Sequence, residues 1–182
     1  MRRLRDDLAR ALEQARPQDP QEVFAALCAH LAERRGRPVV LRMVDFPPQT
    51  ASGLYLDLAD RDVICVQAGT PPVHQLIIFG HEVWHMVAGH GGRHEGHQAE
   101  AARLAAEDAT APEPPAAARP GERAPVQHLA ARTDFRETEE NEAETFGLEL
   151  GAHLRHWLER PPAAPSTPDV RRIQQLLGHH RI

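Results

Sequence analysis

The chain has 182 residues, 41% of them hydrophobic and 26% charged, a balance that suits one folded domain with a modest core. A formal net charge of −5 gives no electrostatic reason to expect direct nucleic-acid binding. No apolar run of about 18 residues is present to span a membrane, and Met1 to Asp7 lack the apolar stretch of a secretion signal, so a cytoplasmic protein is expected.

Residues 3–15 and 21–35 read as two helices, separated by a connector containing Pro17 and Pro20. Two prolines and mixed charge argue against a DNA-reading helix pair and for packing around a sheet. Arg37 to Met43 reads as a first strand. Ser52 to Leu58 alternates, with Leu54, Leu56 and Leu58 on one face and Tyr55 on the polar side. Asp60-Arg61-Asp62 makes a turn, and Val63 to Val66 return as a third strand. Cys28 and Cys65 fall inside these elements and read as buried thiols of a reducing compartment.

A further helix is expected from Thr70 as N-cap and Pro71 as first helical residue. Leu76, Ile77, Ile78, Phe79, Val83, Trp84, Met86 and Val87 make it apolar almost all round, and Gly89, Gly91 and Gly92 supply a stop. Inside it stands His81-Glu82-Val83-Trp84-His85, which reads HExxH. Residues four apart share a helix face, so His81 and His85 can grip one metal ion. Glu82 then lies where it can take a proton from a water. Two imidazoles in so apolar a helix are costly without a partner, and a metal is a natural one.

The third ligand decides the class. A histidine six residues after His85 is excluded, because Gly91 stands there, and His90 is off the face. A later helix carries Glu137, Glu139, Glu140, Glu142 and Glu144. Its core face is marked by Ala143, Phe146, Leu150, Leu154 and Trp157. Helical angles put Glu139 nearest the middle of that face and Glu140 on its flank, while Glu137 and Glu144 point away. Gly147 and Gly151 share the direction of Glu140 and would let the HExxH helix come close. On these grounds the choice between Glu139 and Glu140 stays open, with His94 and His97 as further candidates.

Residues 91–134 read as an insertion, His-rich at first and Ala/Pro-rich later. After Pro161 to Pro165, Ser166 or Thr167 can cap a last helix, with Val170, Ile173, Leu176 and Leu177 as an apolar stripe. The expected organisation is one domain over residues 1–158, interrupted at about 91–134, then a Pro-rich linker and helix over 159–182.

HExxH together with Glu140-Asn141-Glu142-Ala143-Glu144-Thr145-Phe146-Gly147 resembles the ImmA/IrrE family of zinc metallopeptidases, whose later helix carries a pattern close to ExxA[DN]xFA. The resemblance covers about residues 20–158. It implies an α+β fold, a small three-stranded sheet packed against helices with a zincin-like active-site helix. It also implies Zn²⁺ held by His81, His85 and Glu140, with Glu82 as the catalytic base. Glu144 stands where the family has Asp or Asn and would accept a hydrogen bond from a ligand histidine. Gly147 replaces the family's Ala. The implied activity is hydrolysis of a peptide bond in a specific protein substrate, a helix-turn-helix (XRE-type) repressor, in stress or mobile-element regulation. The competing expectation is a zinc-stabilised binding module, or a toxin–antitoxin component, that controls a regulator by contact.

Overall fold

The computed structural model describes residues 1–48, 51–89 and 136–159. The expected insertion at 91–134, with His94 and His97, lies outside the described residues, as do His90 and the helix expected near 168–177. Within them the fold is α+β, with four helices and one three-stranded sheet.

Helix α1 (Arg2–Ala15) buries Leu4, Leu8 and Leu12, one residue per turn along a single stripe. Helix α2 (Pro20–Arg35) starts where Asp19 accepts the Glu22 backbone N–H at 2.8 Å, with Pro20 in the first turn. It ends on Gly36 at φ 69°, the left-handed conformation that glycine takes without steric cost. Strand β1 (Val39–Val44) pairs in parallel with β3 (Asp62–Gln67), and β2 (Gly53–Asp57) pairs antiparallel on the other side, giving the order β1-β3-β2. Helices α3 (Pro72–Ala88) and α4 (Arg136–Leu158) complete the layer on one sheet face.

The expected leucine face of β2 is present. Leu54, Leu56 and Leu58 join Phe46, Val63 and Cys65 in one buried cluster. The opposite face meets the helices through Val39, Tyr55, Ile64 and Val66 in the main core. Cys28 belongs to that core and Cys65 to the other cluster, so the sheet separates two buried thiols. Burial pushes the Cys28 thiol up to about 12, which makes it inert.

Tyr55 departs from expectation. Its side chain is 2% exposed rather than on a solvated face, because its hydroxyl finds a buried acceptor, donating to Asp62 at 2.5 Å. Asp62 is fully buried and also receives Arg35 Nε at 2.9 Å and Arg37 Nε at 2.8 Å. Burial alone would raise the Asp62 pKa, but hydrogen bonds from Arg37, Arg35 and Tyr55 outweigh it and hold the carboxyl below its ordinary value. A carboxylate depressed in the folded state stabilises the fold above its unfolded pKa, and that stability is lost as pH falls through the folded value. Asp62→Asn is therefore expected to cost about 2–3 kcal/mol near neutral pH, measured by urea unfolding. The difference from wild type should shrink as the solution is acidified below the ordinary carboxylate range.

Candidate metal centre

Helix α3 begins one residue later than its sequence suggests. Pro71 is the cap residue, at φ −58° and ψ 149°, and makes no side-chain cap bond. The reason is Pro72, whose ring disfavours helical geometry in the residue before it. Thr70 instead donates its hydroxyl to the Gln67 carbonyl at 3.0 Å, and Gln75 donates to the Ala68 carbonyl at 2.9 Å, fastening the β3–α3 turn. Gly89 ends the helix at φ 76°, its N–H bonded to the His85 carbonyl.

On this helix His81 and His85 lie one turn apart, their Nε2 atoms 3.0 Å from each other. Helix α4 brings Glu140 to both: Oε2 stands 3.4 Å from His81 Nε2, and Oε1 stands 3.7 Å from His85 Nε2. The donor atoms of the three side chains all lie within 4.8 Å of one another, a group able to hold a metal ion. His85 is buried, whereas the Glu140 side chain is half exposed, so one side of the group opens to the surface.

Close approach of the two helices creates this convergence. An ideal Cβ on Gly147 would stand 2.5 Å from the Ile77 carbonyl oxygen, and one on Gly80 would stand 3.0 Å from Gly147 Cα. One on Gly151 would meet Ile77 Cγ1 at 2.5 Å. The α3–α4 contact therefore runs through three glycines, in the direction that Glu140 shares with Gly147 and Gly151. Glu139, nearer the middle of the apolar stripe, is not part of the group. The stripe of Ala143, Phe146, Leu150 and Leu154 marks the way to the whole core, while the glycines mark the way to α3.

Glu82 is 2% exposed and lies against the start of β2. A Cβ on Gly53 would sit 2.5 Å from Glu82 Oε1 and 2.6 Å from Ile78 Cγ2, so only glycine lets the strand pass here. The isolated glycine at the head of an alternating strand was the available signal for this contact. Backbone bonds from Gln67 N–H to Ser52 O and from Leu58 N–H to Arg61 O set the alternation along β2. Gly53, Tyr55 and Asp57 consequently turn their N–H and C=O groups to the outer edge, which no strand covers among the described residues.

A cleft of about 400 Å³ joins these parts, with Ala51, Ser52 and Gly53 on one wall, α3 as floor and Glu140, Glu144 and Leu148 on the other wall. Glu144 is solvent-exposed there. Its neighbour Glu142 has a partner that sequence reasoning missed, accepting the Trp84 indole N–H at 3.3 Å. His153 and His156 are exposed farther along α4, where His156 Nδ1 lies 3.1 Å from the His153 carbonyl. Comparison of the chain with protein-family models, curated proteins and solved structures returns no match.

Proposed function

We propose that the chain is a zinc-dependent peptidase, with His81, His85 and Glu140 as metal ligands and Glu82 as general base. The observation that carries this reading is the convergence of two imidazoles and a carboxylate beside a second, buried carboxylate. Donors about 2.0–2.1 Å from a tetrahedral ion stand about 3.3 Å from each other. The imidazole nitrogens are 3.0 Å apart and the two Glu140 oxygens approach them to 3.4 and 3.7 Å, close enough to that value for the group to hold such an ion. Two nitrogens and one oxygen, with one side open to the surface, form a donor set that suits zinc and leaves a further position. A bound zinc ion supplies Lewis acidity, lowering the pKa of a water towards about 7 and polarising a carbonyl oxygen.

The protein's own groups do the rest. Glu82 takes the proton of the attacking water and returns it to the departing amide nitrogen. Its burial keeps the carboxylate in one place and excludes competing solvent. The outer edge of β2 can pair with an extended segment of substrate, giving backbone recognition with weak sequence demands. Gly53 brings that strand into contact with Glu82. The likeness of residues 140–147 to the ImmA/IrrE pattern supplies the substrate class, a helix-turn-helix repressor.

The test is incubation of the chain with a helix-turn-helix regulator, with and without a chelator, followed by mass analysis. Fragments are expected only when metal is present. His85→Ala should purify without zinc and leave the regulator intact. An intact regulator in the presence of zinc-loaded wild type, but with its DNA binding altered, would favour control by contact.

A further inference from the structure

The cleft continues past the ligand group in one direction. Gly147 packs on Ile77 and His81, and Gly151 packs on Ile77, so α4 runs antiparallel to α3. Glu140 therefore marks the ligand end of the cleft. Leu148, two turns farther along α4, marks the other end with Ile77 and His74 of α3 and Ala51 opposite. Leu148 is 52% exposed, although Ala143, Phe146, Leu150 and Leu154 of the same helix are fully buried. Among the described residues the other exposed large hydrophobics are Met43 and Val87, neither of which lines this cleft. A leucine held open to solvent inside a concave site that also contains the ligand group is placed to meet an apolar ligand group.

We infer that Leu148, Ile77 and Ala51 form a specificity subsite for a bulky aliphatic or aromatic side chain of the polypeptide, within two positions of the bond presented to Glu82. The inference rests on the peptidase reading and adds its side-chain preference. In an extended segment, side chains two residues apart share a face and lie about 7 Å apart. Leu148 is eight residues beyond Glu140, about 12 Å along the helix axis. The reach of two long side chains closes that span. Negative charge from Glu144 on the same wall disfavours an acidic side chain at this point.

Two small hydroxamates provide the test, because a hydroxamate anchors on zinc and places its substituent beside the ligand group. One carries an isobutyl side chain and the other a methyl. Binding to the zinc-loaded full-length chain is measured by calorimetry, for wild type, Leu148→Ala and Leu148→Arg. The isobutyl probe should bind wild type on the order of tenfold more tightly than the methyl probe. Leu148→Ala should narrow that preference and Leu148→Arg should erase it, with zinc content and thermal midpoint unchanged because the side chain is half exposed. Equal affinities in wild type, or a preference indifferent to both variants, would overturn the subsite while leaving the zinc site standing. Failure of both probes to bind would overturn the open position on the zinc, and with it the peptidase reading and the subsite.

Discussion

Glu82→Gln is expected to lower the rate of peptide hydrolysis about 10²–10⁴-fold, equivalent to about 3–5 kcal/mol of barrier, while the chain keeps its zinc and its fold. Glutamine has almost the same shape as glutamate, so packing against Gly53 persists. What disappears is the ability to accept a proton from water and hand it on. His81, His85 and Glu140 are untouched, so metal content measured by elemental analysis should equal that of wild type. This variant also separates the two functional classes. If regulation of the partner survives the substitution undiminished, the protein acts by contact and Glu82 is a structural acid.

Gly147→Val should be strongly damaging. Its Cβ would sit 2.5 Å from the Ile77 carbonyl oxygen and 3.2 Å from the His81 backbone nitrogen. Both are main-chain atoms of α3 and cannot swing aside, so the helices must separate by roughly an ångström to restore normal contact. Overpacking of this kind costs about 3 kcal/mol or more, and the thermal midpoint should fall by about 10 °C. Separation also draws Glu140 away from the imidazole pair, so zinc affinity should fall with stability. An unchanged midpoint would mean that the helices do not cross as closely as Gly80, Gly147 and Gly151 indicate. Alanine, which the ImmA/IrrE pattern has at this position, should show the same effects at smaller size, because its Cβ alone is already too close.

Local sequence signals located the elements well. The connector with Pro17 and Pro20 marked the break between α1 and α2, and alternation placed β2. The errors share a cause, since each concerned what a residue meets rather than what it is. Thr70 has the chemistry of a cap but is followed by two prolines, and the second displaces the helix start. Tyr55 alternates with leucines and so read as solvated, yet Asp62 and the pair Arg35 and Arg37 assemble beneath it from two other parts of the chain. No pattern within one strand announces such a partner.

The candidate site divides along the same line. His81 and His85 were determined by sequence alone, because a helix repeat fixes where residues four apart must point. The neighbouring Glu82 was legible for the same reason. Glu140 was reached through the family resemblance and not through the apolar stripe of α4, which averages over every neighbour of that helix, whereas a metal group depends on the direction to one of them. Only the tertiary structure settled that direction, through glycines that bring α3 and α4 into backbone contact. It likewise decided that β2 passes Glu82 at Gly53. Local geometry is written in the chain every few residues, but the distance between two helices depends on atoms that are absent from both.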